Sequence, residues 1–170
     1  MQDEASILAR FDAWLAQAQD ATRDEAFTSG DRAIAIGFIL RQAREVDAGI
    51  TASELAEMLV IAAESIRHGL ALDDGKTQRL FGLDSGSTLD ALREVPITQW
   101  PLAPVERVIV LMESVTLAAT LLSDVERACA WFRKPNSASL TAGRSALALM
   151  LEEQDGVRKV RDYLRSEVWG

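Results

Sequence analysis

The stretch at residues 105–122 constrains the fold most, because it is apolar on every helical face. Val105, Val108, Met112, Val115, Ala119 and Leu122 recur at the alternating three-and-four spacing of a seven-residue repeat. Ile109, Leu111, Leu117 and Leu121 carry apolar surface round the rest of the cylinder. Such a helix must be surrounded, either by its own chain or by a second subunit. Glu106, Arg107 and Glu113 interrupt the tract, leaving too short an uncharged run for the ~20 residues of a bilayer span. A core helix is therefore predicted, opened by Pro104 in its first turn.

The rest of the chain reads as helices around that core. Ile7, Leu8, Phe11, Trp14, Leu15 and Ala18 make one apolar face of a first helix over 4–18. Ala33, Ile34, Ile36, Ile39, Leu40, Ala43 and Val46 make that of a second, closed by Gly49. Thr51 and Glu54 have capping-box spacing and open a third helix over 53–59, with another following over 63–68. Small Ala56 and inward Leu55, Leu59, Ile61 and Ile66 give this pair the pattern of a helix-turn-helix at 53–68. Val60 stands at its turn, where glycine is common because the backbone there favours a left-handed conformation. Short helices are predicted over 76–81 and 88–94, separated by Gly82 and Gly86. The connector 95–103, with Pro96, Trp100 and Pro101, marks the expected boundary between a region 1–103 and a domain 104–170. No stretch alternates with strand period and no internal repeat appears, so the predicted class is all-α.

Ser123 and Glu126 repeat the capping-box spacing ahead of a helix that ends in Trp131 and Phe132 and is stopped by Pro135. Ser145 precedes Leu147, Leu149, Met150 and Leu151 as the expected cap of the next helix. In the last helix Val157, Val160 and Leu164 form an inner stripe. Arg158, Arg161 and Arg165 fall at three-and-four spacing on another face, an expected basic contact surface. Trp169 stands close behind, a large apolar side chain of the kind that anchors interfaces.

Catalytic chemistry is not legible. There is no glycine-rich phosphate loop, nucleophile–base pairing or metal-ligand spacing. The single cysteine, Cys129, lies among alanines as a buried packing group, and the single histidine, His68, has no cysteine cluster beside it. Net charge is −8, concentrated early: residues 1–31 hold seven acids and two bases, whereas residues 106–170 hold nine of each. The acidic N-terminus lacks the basic flank of a secretory signal, so a cytoplasmic, non-enzymatic protein with no cofactor is expected. Ala63, Glu64, Arg67 and His68 would form the outer face of the helix-turn-helix, with Lys76 and Arg79 just beyond. Glu54, Glu57 and Glu64 oppose the phosphate neutralisation that DNA binding needs, so operator contact by these residues is expected to be weak.

Several motifs recur together in residues 106–170. They are Trp131-Phe132 followed by Pro135-Asn136, Gly143-Arg144-Ser145-Ala146-Leu147, Met150-Leu151, and Val160-Arg161-Asp162-Tyr163-Leu164. In that order they resemble the toxin-binding domain of the MbcA/ParS/Xre antitoxin family. The loop 136–144 is slightly longer than the family form and carries Ser137 where proline is common. The link from Met150 to Val157 is slightly short. The resemblance implies a type II antitoxin whose C-terminal domain blocks a RES-domain toxin that consumes NAD. It implies a homodimer that assembles into a hetero-oligomer with the toxin, and N-terminal helices that repress the shared operon. Trp131, Arg144, Arg158, Arg161, Tyr163, Arg165 and Trp169 are the toxin-facing candidates on this reading. A stand-alone dimeric regulator and a helical adaptor without a toxin remain the alternatives.

Overall fold

A computed structural model describes residues 49–137 and 139–170. The two helices expected over 4–18 and 31–46 lie outside the described residues. Within them the chain is all-α: α1 (Ala52–Gly69), α2 (Asp74–Phe81), α3 (Leu89–Arg93), a 3-10 turn (Ile97–Gln99), α4 (Leu102–Leu122), α5 (Val125–Arg133), α6 (Ala146–Glu152) and α7 (Gly156–Trp169).

The Thr51–Glu54 capping box forms as read, with the Thr51 N–H donating to Glu54 Oε2 at 2.8 Å and the Glu54 N–H to Thr51 Oγ1 at 3.2 Å. What it opens differs from the expectation. Residues 53–68 are one continuous helix, so the predicted helix-turn-helix is absent there. No glycine, proline or asparagine lies between Ser53 and His68 to break the hydrogen-bond ladder, and Met58 to Ala63 are all buried. Val60, the expected turn residue, is helical and 1% exposed. The chain reverses later, at Leu70 to Asp73, where Ala71 takes a left-handed φ of 52° and the Leu72 N–H reaches back to the Arg67 carbonyl.

Asp73 and Thr88 cap α2 and α3 through their side chains. The connector 95–103 is fastened to the core: Trp100 is buried, and its indole N–H lies 2.9 Å from the Val95 carbonyl and 3.0 Å from that of Leu92. Trp100 thus keeps its polar atom satisfied while its rings pack, which is the condition for burying tryptophan.

Helix α4 begins at Leu102 and is largely covered by its own chain, packing on α1, α2, α5 and most extensively on α7, with Thr116, Thr120 and Leu121 left exposed. One apolar core runs from Ile50 through Phe81, Trp100, Val108 and Phe132 to Leu164. Each large side chain fully withdrawn from water there contributes roughly 1.5–3 kcal/mol. Ser123 ends α4 in the left-handed region, φ 57°, and α5 is bent away by 111°. The cap of α5 is therefore Asp124, whose carboxylate accepts from the Arg127 N–H at 2.7 Å; a single side-chain cap one residue later stands in place of the predicted Ser123–Glu126 box, because Arg127 rather than an acid holds the third helical position. No single helix among the described residues is long and apolar enough to cross a membrane.

Candidate partner-binding face

The loop from α5 to α6 is tied at both ends. The Asn136 N–H donates to the Arg144 carbonyl at 3.2 Å. The fully buried Thr141 hydroxyl lies 2.8 Å from Asn136 Oδ1 and 3.0 Å from its carbonyl. Ala142 and Gly143 are both left-handed, φ 48° and 86°, and this turn delivers Arg144 to α6. Ser145 caps α6 as expected, accepting from the Ala148 N–H at 3.0 Å. Trp131 is half-buried, set edge-on to Phe132 with ring centroids 5.1 Å apart.

Arg144 spans two carboxylates, Glu152 and Glu153, at 3.0 Å each, and Lys159 reaches Glu153 from α7 at 2.7 Å. Hydrogen bonds from Lys159 and then Arg144 hold the Glu153 carboxyl below its usual range. The same bonds push the Arg144 and Lys159 groups up. Between α6 and α7 the chain bends at Gly156, where a Cβ would stand 2.2 Å from the Leu149 carbonyl oxygen. Only glycine allows that approach.

Helix α7 then runs parallel to α4. Arg158 Nε donates to Glu106 Oε1 at 2.8 Å and Arg165 Nε to Glu113 Oε1 at 2.6 Å; both pairs are 52 residues apart in sequence, so the two helices advance together. Arg165 and Glu113 are buried, at 6% and 1% exposure. Arg161 is also buried, with its Nε 2.9 Å from Asp162 Oδ1. This corrects the expected basic stripe: Arg161 and Arg165 lie within the fold, and only Arg158 keeps a partly exposed guanidinium. The side chains that α7 leaves exposed along one line are Lys159, Asp162, Ser166 and Trp169, with Tyr163 half-buried beside them. Burial foremost, and then Glu167, raises the Tyr163 phenol. Trp169 is 59% exposed.

Lys159, Asp162 and Ser166 lie on this exposed line outside the expected arginine stripe, and Glu106 and Glu113 are partners of the arginines that the sequence analysis does not pair with them. The signal was present, since acids seven apart on α4 match arginines seven apart on α7.

The residues expected to touch DNA do not form a basic surface. Ala63 is 1% exposed, which corrects its assignment to an outer face. Arg67 pairs with Glu64 and Asp74 at 3.4 and 3.0 Å, Lys76 with Asp73 at 3.0 Å, and His68 lies exposed 3.9 Å from Glu64. Arg79 is exposed on α2. Among the described residues no group of three or more His, Cys, Asp or Glu side chains could hold a metal ion. Burial pushes the Cys129 thiol up, which suits a packing group rather than a nucleophile.

No curated protein and no solved structure matches the chain. The capped loop, the glycine elbow and the last helix docked on α4 are nonetheless a recognised unit: residues 117–170, from the last turns of α4 to the C-terminus, match the family of the antitoxin Xre/MbcA/ParS C-terminal toxin-binding domain.

Proposed function

We propose that the chain is the antitoxin of a toxin–antitoxin pair and neutralises its partner by direct protein–protein contact through residues 104–170. The observation that carries this is the family match over 117–170. The geometry supports it, because a rigidly docked α7 ends in an exposed tryptophan, the type of side chain that anchors interfaces. The partner on this reading is a RES-domain toxin that consumes NAD, and the antitoxin binds no NAD and catalyses nothing itself. Trp131, Arg144, Arg158, Tyr163 and Trp169 are proposed to face the toxin. Arg161 and Arg165 act by holding α7 in place.

Assembly as a cytoplasmic homodimer within a larger complex belongs to the same proposal. The chain itself covers most of α4, so the apolar surface left for self-association includes Leu121 in its last turn and Val125, 42% and 58% exposed. Repression of the shared operon has weaker support, since Arg67 and Lys76 are already paired with acids. Co-expression with the adjacent toxin gene is the test. The antitoxin should restore growth and co-purify with the toxin; growth arrest with no complex would refute the reading.

A further inference from the structure

Hydrogen bonds, more than packing, hold the shape of the chain between α5 and α6. Ser137, Ser139, Ala142 and Gly143 are exposed there, and Leu140 is half-buried against the core. Three residues close this segment into a triangle. The Arg144 N–H donates to the Thr141 carbonyl at 2.9 Å, and the Asn136 N–H donates to the Arg144 carbonyl at 3.2 Å. The Thr141 hydroxyl lies within hydrogen-bond distance of the Asn136 side-chain oxygen and carbonyl. Each corner is tied to the other two.

Thr141 is 0% exposed, and at such a site valine has nearly the same shape without the cost of burying a hydroxyl. What the hydroxyl adds is the third side of the triangle. The turn it closes is strained: Ala142, which carries a Cβ, holds a φ of 48° next to Gly143 at 86°. A left-handed alanine is disfavoured and persists only where its surroundings over-determine it, a condition met most often at functional sites.

We propose that Thr141 is a positioning residue for partner recognition: its hydroxyl latches the strained turn so that Ala142, Gly143 and Arg144 meet the partner toxin in a preformed shape. Arg144 leaves this turn with its backbone N–H and carbonyl both engaged, and its side chain reaches Glu152 and Glu153 at the far end of α6. A surface fixed beforehand is bound without the entropy loss of ordering it. A turn that holds the binding shape for only part of the time shows an affinity reduced by that fraction. The role in recognition rests on the antitoxin reading; the latch itself belongs to the isolated chain.

The test uses the full chain carrying Thr141→Val, which removes the hydroxyl at nearly constant volume, and Thr141→Ser, which restores it. Hydrogen exchange at the Asn136 and Arg144 amides reads the latch, and titration with the partner toxin reads recognition. Thr141→Val should keep wild-type circular dichroism, lose protection at both amides by about tenfold or more, and bind the toxin about tenfold more weakly. Thr141→Ser should recover most of both. Gly143→Ala is a second, independent variant, because it strains the same turn at an exposed position where a methyl group meets nothing within 4 Å. It should weaken protection and binding together, whether or not Thr141→Val folds. A folded variant with lost protection and wild-type affinity would overturn the positioning role, and unchanged protection in both variants would overturn the latch. If the wild-type chain does not bind the toxin, the antitoxin reading fails and the recognition role falls with it, while amide protection still decides the latch.

Discussion

Arg165 reaches across from the last helix to Glu113 in the middle of the core helix, closing a 2.6 Å hydrogen-bonded ion pair with almost no exposure to water. Desolvating two charges is expensive, and their mutual attraction offsets the expense only while both are present. Arg165→Met or Glu113→Gln alone should therefore lower unfolding free energy by roughly 3–5 kcal/mol. Urea denaturation followed by circular dichroism would measure it, and a loss below about 1 kcal/mol would place the pair with ordinary surface contacts.

The Arg158–Glu106 pair should behave differently. The side chain of Arg158 is 45% exposed and that of Glu106 19%, so water and salt screen their attraction. Arg158→Ala is expected to cost about 0.2–1 kcal/mol, shrinking as ionic strength rises. A salt-independent loss several times larger would mean that the Arg158 stem, rather than its charge, matters.

At the α6–α7 elbow the constraint is steric. A methyl group at residue 156 would lie 2.2 Å from the Leu149 carbonyl oxygen and 2.8 Å from the Met150 Cα, and backbone cannot swing aside like a side chain. Gly156→Ala should lower stability by roughly 1–3 kcal/mol, the usual range for overpacking, despite alanine's better helix propensity. Unchanged or improved thermal stability would show that the elbow opens freely.

These features differ in how far the sequence exposed them. The caps at Thr51 and Ser145 and the buried role of Cys129 depend on neighbours within a few residues, and they were legible. So was the need to surround α4, which follows from its composition alone. The helix-turn-helix pattern failed because inward positions at three-and-four spacing look the same in two short helices and in one long one. The discriminating fact is the absence of any residue that would stop α1 before Gly69. The C-terminal arginines misled for a related reason. A basic stripe at helical spacing reads as an exposed contact surface, and recognising Arg161 and Arg165 as buried requires knowing that α4 lies alongside with Glu106 and Glu113.

Acid should loosen the network that joins the 136–144 loop to α7. Glu153 has a folded pKa below its ordinary value because Lys159 and Arg144 hydrogen-bond to the charged form. Its contribution is present above the ordinary carboxylate range and is lost as pH falls through the lowered folded value. Stability measured from neutral pH downward should therefore fall more steeply for the wild type than for Glu153→Gln. Parallel curves would remove Glu153 from the acid response.

The exposed end of α7 gives the most direct functional prediction. Trp169 lies 59% exposed, outside the core formed by Val157, Val160 and Leu164, so its removal should leave the fold intact. Trp169→Ala should keep wild-type circular dichroism and an unchanged urea midpoint, whereas a chain ending at Ser166 also loses the partly buried Val168 and should keep the circular dichroism with a slightly lowered midpoint. Both should bind the partner toxin at least 30-fold more weakly, the ratio corresponding to an anchor residue worth about 2 kcal/mol or more. Arg161→Glu is a poorer probe, because Arg161 is 7% exposed and the substitution sets a carboxylate beside Asp162 in the fold; it should unfold the chain before it reports on binding. Full-affinity binding by the folded Ser166-terminated chain would exclude the last turn of α7 from the toxin interface, leaving Trp131, Arg144, Arg158 and Tyr163 as the proposed contacts.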